Sequence, residues 1–143
     1  MRASRINAVT SAVSAETNAP MSKRPTIVFY SPDLDFCVSL RLLLQGEYEM
    51  VTITDPRMLL ATAKDFKPEL VIVDCIPTES MRSRFEEIRR DNPRVRILSF
   101  YAGRFDDSRI QQRILQLADV AFSKPIDLPE VTERIHELVM QHV

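Results

Sequence analysis

Glycine is scarce in this sequence of 143 residues, which contains only Gly46 and Gly103. The Walker A loop and the G-x-G-x-x-G dinucleotide fingerprint are therefore excluded, because both need several close glycines where backbone N–H groups approach phosphate. Two cysteines and two well separated histidines, His136 and His142, are too few for a Cys/His zinc site. No apolar run reaches the roughly 20 residues that a membrane span needs.

The net charge is also small: the sequence has 19 basic and 20 acidic residues, a formal charge of -1, and an isoelectric point of about 6.1. No overall basic field therefore favours nucleic-acid binding. Cys37 and Cys75 are too few for a disulfide framework, so we expect reduced thiols in a cytoplasmic protein. The content of 45% hydrophobic and 27% charged residues is typical of one globular domain.

The first 25 residues differ from the rest in being rich in Ala, Ser, Thr and Asn. They lack the apolar segment of a secretory signal, and a transit peptide is compatible with their composition. We favour a disordered leader over residues 1–25, followed by one folded domain over residues 26–143.

Short apolar runs alternate with segments of helical periodicity along this domain. Strands are predicted at residues 26–30, 50–54, 70–74, 95–99 and 120–122. Helices are predicted after each strand: from Asp33 to Gly46, from Pro56 to Phe66, through Phe85 and Ile88 to Asn92, from Asp106 to Leu117, and from Leu128 onward. Their expected inward residues include Leu43, Met58 and Phe66. Strict alternation predicts parallel strands and a doubly wound, three-layer α/β/α sandwich.

In such sheets, ligands bind at the carboxyl ends of the strands. The polar or turn residues there are Ser31, Pro32, Asp33, Asp74, Ser99 and Lys124. A carboxylate, a hydroxyl and an ammonium at one edge form a plausible phosphoryl site. Asp74 would attack phosphorus, Lys124 would offset the charge on the phosphoryl oxygens, and Ser99 would donate a hydrogen bond.

The chain from about residue 26 to its C-terminus resembles the receiver domains (CheY-like) of two-component response regulators. The resemblance rests on the stretches TIVFYSPDLDFCVSLRLLLQ, KPELVIVDCIPTES, RVRILSFYAG and ADVAFSKPIDLPEV. It implies Asp74 as the phosphoacceptor, Ser99 as the hydroxyl switch and Lys124 as the cation that contacts phosphate. It further implies a cis peptide bond between Lys124 and Pro125, and the flavodoxin-like strand order 2-1-3-4-5.

The metal-binding acids of the family are missing, because Ser31 and Pro32 stand where the resemblance implies an acidic pair. Mg²⁺ prefers octahedral oxygen ligation that includes one or two carboxylates. The resemblance implies Asp74 and the backbone carbonyl of Ile76 as ligands. Asp33 is a further candidate, although it is equally suited to cap the first helix. Mg²⁺ is therefore the expected cofactor, held by an incomplete set of ligands.

Two further departures concern the family's switch. Ala121 occupies the aromatic switch position, and Phe122 beside it should face the other side of its strand. Pro77 follows Asp74 by three residues instead of the usual four.

Arginine is concentrated in residues 82–113, where nine arginines face five acids. Arg90, Arg109 and Arg113 could form an interaction surface, because guanidinium groups bind carboxylate and phosphate in bidentate fashion. The alternative is a solvated helix face with pairs such as Glu86–Arg90.

Two functions follow from these observations. The first is a single-domain response regulator without enzymatic activity, which accepts a phosphoryl group on Asp74 from a histidine kinase or phosphotransfer protein and signals by altered binding to a downstream protein. The second is a degenerate pseudo-receiver, which binds a protein, an anion or a nucleotide through residues 82–113 without phosphorylation. A second copy of the chain is a further candidate partner, whereas nucleic acid and membranes are not expected partners.

Overall fold

The computed structural model describes residues 24–76, 78–102, 109, 112 and 116–141. Its strands form one parallel sheet in the order β2-β1-β3-β4-β5, which confirms the predicted fold class and strand order. The strands are β1 (Thr26–Tyr30), β2 (Glu49–Ile53), β3 (Leu70–Asp74), β4 (Arg96–Tyr101) and β5 (Val120–Ser123).

Helices cover both faces of the sheet. They are α1 (Leu34–Leu44), α2 (Leu59–Phe66), which follows a short 3₁₀ turn (Pro56–Met58), α3 (Glu79–Asp91) and α4 (Leu128–Gln141). Buried residues of α1 and α4 pack on one face, and those of α2 and α3 pack on the other. Most of the helix predicted over residues 106–117 lies outside the described residues. Within that range, the described residues Arg109 and Gln112 are helical. No helix in the described ranges is long and apolar enough to cross a membrane.

The predicted leader also lies outside the described residues, except for Arg24 and Pro25. The Arg24 guanidinium lies 3.2 Å from the Glu49 carboxylate, and the Pro25 carbonyl accepts a hydrogen bond of 2.8 Å from the Glu49 amide. These two residues therefore contact the folded domain.

The central strands are apolar because both of their faces are covered. Every residue of β1 and β3 is buried. In β3, Leu70 and Ile72 contribute to the core beneath α1 and α4, whereas Val71 and Val73 contribute to the core beneath α2 and α3. This alternation follows from the two-residue period of a strand.

Local signals fix the helix ends. Asp33 caps α1, and its carboxylate accepts hydrogen bonds from the amides of Asp35 and Phe36. Helix α2 ends at Lys67, the C-cap residue, whose backbone is in the left-handed helical region with φ of 44°. Pro68 follows it in the chain.

The prediction that three helix residues point into the core is wrong. Leu43 is 48% exposed, and Met58 and Phe66 are each 51% exposed. In α1 the buried residues are Cys37, Leu40 and Leu44, and Leu43 lies one residue, or about 100°, around the helix from this face. A stretch as leucine-rich as α1 allows more than one apolar face, and contact with the sheet selects one of them.

We expect Phe100→Ala to lower the free energy of unfolding by about 3–5 kcal/mol, because it removes a fully buried ring and leaves a cavity. The Phe100 ring lies 6.5 Å, 5.4 Å and 6.3 Å, centroid to centroid, from the rings of Phe29, Phe36 and Phe122. Urea unfolding followed by circular dichroism measures the loss, since the chain has no tryptophan. Met140→Ala, at a side chain 59% exposed, is the control and should change stability by less than about 0.5 kcal/mol.

Candidate functional site

Asp74 ends β3 with a side chain that is only 6% exposed. Its Oδ1 atom lies 2.7 Å from the Nζ of Lys124, and its Oδ2 atom accepts a hydrogen bond of 2.7 Å from the hydroxyl of Ser31. The three residues stand at the carboxyl ends of β3, β5 and β1. We call Ser31, Asp74 and Lys124 the edge cluster.

Strand register places Ser31 beside Asp74. Tyr30 of β1 pairs with Val73 of β3, so the next residues along the two chains are also neighbours. Ser31 is completely buried, and its hydroxyl oxygen accepts a hydrogen bond of 3.0 Å from the Asp33 amide. The hydroxyl proton is therefore directed to Asp74. The sequence places Ser31 at a strand end but does not indicate this contact, which depends on the pairing of β1 with β3.

Lys124 reaches Asp74 from the end of β5. Its backbone amide donates a hydrogen bond of 2.8 Å to the Tyr101 carbonyl, and its peptide bond to Pro125 is cis, which confirms that prediction. Its Nζ atom lies 5.5 Å from the centre of the Phe36 ring. The ammonium is therefore held between a carboxylate and an aromatic ring. Nothing in the sequence indicates the contact with Phe36, because the two residues are distant along the chain.

Ser99 lies elsewhere than predicted. Strand β4 continues to Tyr101, so Ser99 is not at a strand end. It pairs in register with Val73 and Ala121, whereas the partner of Asp74 is Phe100. Side chains alternate along a strand, so Ser99 faces away from the side that Phe100 and Asp74 share. Strand β4 continues past Ser99 through Phe100 and Tyr101, so Ser99 does not lie at the carboxyl edge of the sheet. The hydroxyl that contacts Asp74 is that of Ser31.

The residues proposed for Mg²⁺ do not form a suitable site. The Asp33 carboxylate caps α1, and the backbone carbonyl of Ile76, in the loop after β3, would supply a neutral oxygen only. Both oxygens of Asp74 are already engaged by Ser31 and Lys124. Within the described part of the chain, no group of three or more His, Cys, Asp or Glu residues could hold a metal ion. These donors do not fit the octahedral, carboxylate-containing set that Mg²⁺ prefers.

Other ionisable side chains near Asp74 are kept neutral. Burial, and then the negative charge of Asp74, raises the pKa of the Cys75 thiol to about 11. Burial is also the largest cause that raises the pKa of the Tyr30 phenol and of the Cys37 thiol. At neutral pH these groups are protonated, so they add no negative charge beside Asp74.

An open depression of about 300 Å³ adjoins the edge cluster on the α1 side. It is lined by Asp33, Asp35, Phe36, Ser39, Lys124, Pro125 and Ile126. The exposed part of Lys124 therefore faces a surface that another molecule can reach.

Two arginines of α3 form ion pairs within the helix. Arg90 pairs with Glu87, and Arg82 pairs with Glu86 at 3.3 Å. The expected Glu86–Arg90 pair is therefore not formed, because Glu86 pairs with Arg82 and Arg90 pairs with Glu87. Such exposed pairs are typical of a solvated helix face.

Arg89 pairs outside α3, and Arg109 and Arg113 follow β4 in the chain. Arg89, at the end of α3, contacts the Asp119 carboxylate at 3.1 Å and donates hydrogen bonds to the Leu117 carbonyl. Arg109 is exposed, and Arg113 lies outside the described residues. An interaction surface formed by Arg90, Arg109 and Arg113 stays a prediction.

No protein-family model matches this chain, and no curated protein matches its sequence. Solved structures match its fold. A response regulator from Thermotoga maritima has a TM-score of 0.68 at 16% identity, over 82% of this chain and 98% of that one. The N-terminal signal receiver domain of a response regulator from Bacteroides fragilis has a TM-score of 0.66 at 21% identity, over 82% of this chain and 98% of that one. A response regulator receiver modulated diguanylate cyclase from Pelobacter carbinolicus has a TM-score of 0.67 at 16% identity, over 82% of this chain and 94% of that one. The chain therefore has the fold of response-regulator receiver domains.

We expect Lys124→Met to lower the free energy of unfolding by about 1–2 kcal/mol, because it leaves the buried Asp74 carboxylate without its cation. The loss stays below that of a fully buried pair, since the Lys124 side chain is 35% exposed. Urea unfolding of Lys124→Met, Asp74→Asn and the double variant gives the coupling energy between the two side chains. Additive losses in this cycle would contradict the ion pair.

Cys75 should react slowly with iodoacetamide, because a pKa of about 11 against an ordinary 9.0 reduces the thiolate fraction at pH 8 about a hundredfold. Cys37→Ala leaves Cys75 as the single thiol for this measurement. The raised pKa also means that unfolding releases a proton above pH 9, so Cys75 should contribute a loss of stability as pH rises from 9 to 11. Equal alkylation rates in the folded state and in urea would contradict this expectation.

Proposed function

We propose that this chain is a receiver-fold signalling module that acts by binding another protein, and that this binding does not depend on phosphorylation of Asp74. The observation that carries the proposal is the state of the Asp74 carboxylate. Both of its oxygens are held within the chain, one by Lys124 and one by Ser31.

Phosphoryl transfer to Asp74 would need a carboxylate oxygen that is able to attack phosphorus. It would also need cationic charge to offset the phosphoryl oxygens, a contribution for which a metal ion supplies several kcal/mol. The one cation in contact with Asp74 in the described part of the chain is Lys124, which already neutralises the carboxylate. An attacking Asp74 would have to give up this ion pair or the hydrogen bond from Ser31.

A specific observation favours phosphoacceptance as the second candidate. Lys124 Nζ lies 2.7 Å from Asp74 Oδ1 at the carboxyl edge of the sheet. After transfer from a histidine kinase or phosphotransfer protein, the same ammonium could contact a phosphoryl oxygen. In this version the chain would accept the phosphoryl group slowly, because it lacks the acidic pair.

An exposed apolar surface of α1 supports a protein partner. Leu34, Val38 and Leu42 follow each other at intervals of four residues on α1 and are 64%, 48% and 65% exposed. Side chains at this spacing form one apolar stripe on the helix. Contiguous exposed apolar residues are typical of protein-binding surfaces. The arginines of α3 support an anion or nucleotide ligand less well, because Arg82 and Arg90 pair with acids of their own helix.

Intact-mass measurement after incubation with a phosphodonor separates the two candidates. The chain is treated with acetyl phosphate, and separately with a phosphorylated histidine phosphotransfer protein, each with and without Mg²⁺. We expect no mass increase under any condition, because both Asp74 oxygens are engaged. A gain of one phosphoryl group that is absent in Asp74→Asn would establish the second candidate instead.

Partner binding gives an independent test of the same proposal. A protein that co-purifies with the chain should be retained by Asp74→Asn and lost by Leu42→Glu, which places a charge on the exposed stripe. Circular dichroism verifies that both variants are folded. Loss of the partner in Asp74→Asn, with retention in Leu42→Glu, would show that binding depends on the Asp74 site instead.

A further inference from the structure

We infer that the edge cluster takes the place of a divalent-cation site, with an internal ammonium and hydroxyl holding the single carboxylate. In this arrangement the chain binds no Mg²⁺ at Asp74. The inference concerns the metal and holds whether or not the proposed protein partner exists. It rests on the contacts of Ser31, Asp74 and Lys124 and on the donors around them.

The first step is charge balance. Asp74 carries one negative charge and Lys124 one positive charge, at a separation of 2.7 Å between Oδ1 and Nζ. The pair is therefore already neutral. A divalent ion bound to Oδ1 would have to displace the ammonium and remain beside it, and like charges at short range repel strongly when they are partly desolvated.

The second step concerns the two residues that follow β1. The Ser31 hydroxyl donates a hydrogen bond to Asp74 Oδ2 and accepts one from the Asp33 amide, so it stays neutral and supplies no negative charge. Pro32 has neither a side-chain oxygen nor an N–H group. The position next to the carboxylate therefore offers a single neutral oxygen, which is already in two hydrogen bonds.

The third step concerns Asp33, the acid that follows Pro32 in the chain. The Asp33 carboxylate accepts hydrogen bonds from the amides of Asp35 and Phe36, at 3.0 Å and 3.3 Å. Turning this carboxylate toward Asp74 would uncap α1 and leave these two amides without their acceptor. A cation would gain the Asp33 carboxylate only at the expense of the helix terminus.

The consequence is a fixed connection between strand ends that are not adjacent in sequence. Ser31 joins the end of β1 to Asp74, and Lys124 joins the end of β5 to it. The carboxylate is therefore satisfied in the absence of metal, and Mg²⁺ gains no site whose occupation would stabilise the fold.

Metal binding without any phosphodonor tests the inference. Mn²⁺, as a paramagnetic substitute for Mg²⁺, is titrated into the full chain and followed by electron paramagnetic resonance, and thermal unfolding is recorded with and without Mg²⁺. The wild-type chain should show no saturable binding and an unchanged Tm. The double variant Ser31→Asp/Pro32→Asp should bind one Mn²⁺ per chain, release it to Mg²⁺, and show a Tm that Mg²⁺ raises. Adding Asp74→Asn to the double variant should abolish these changes.

A matched control adds two carboxylates at neighbouring exposed positions outside the site, as Leu60→Asp/Ala61→Asp on α2. It should resemble the wild-type chain. Saturable Mn²⁺ binding by the wild type that Asp74→Asn removes would overturn the inference. A folded Ser31→Asp/Pro32→Asp variant that binds no Mn²⁺ would overturn it as well, because Ser31 and Pro32 would then not be what excludes the ion. Phosphorylation of a chain that binds no metal would refute only the proposed function.

Discussion

A buried carboxylate determines the geometry of the carboxyl edge of this sheet. Asp74 has a side chain that is 6% exposed, and an ionised group at such a position is costly unless it is paired and hydrogen-bonded. Lys124 and Ser31 meet this requirement from two other strand ends. The ion pair and the hydrogen bond therefore connect the ends of β1, β3 and β5.

The fold and the site lead to different conclusions about function. The sheet order and the solved structures of similar fold are those of response-regulator receiver domains. A fold hosts many functions, so the chemistry must be argued from the side chains at the site. Here the donors around Asp74 balance its charge internally, which favours a module that signals by contact with a protein. The proposal assigns that contact to the exposed apolar stripe on α1.

Most of the framework could be predicted because its signals are local. The bounds of β1 and β3 agree with their continuous apolar runs, and Asp33 caps α1 as its position suggests. Rotation of the helices was harder to predict. Leu43 and Phe66 are apolar but exposed, since several faces of these helices carry apolar residues and only packing on the sheet selects among them.

The sequence by itself determined the alternation of strands and helices, and the placement of Asp74 and Lys124 at strand ends. These features follow from periodicity and from chain position, which are properties of neighbouring residues. Only the tertiary structure decided that Ser31, and not Ser99, provides the hydroxyl next to Asp74. That outcome depends on which strands are neighbours, on their register, and on the face to which each side chain points, and these are settled only when distant segments pair.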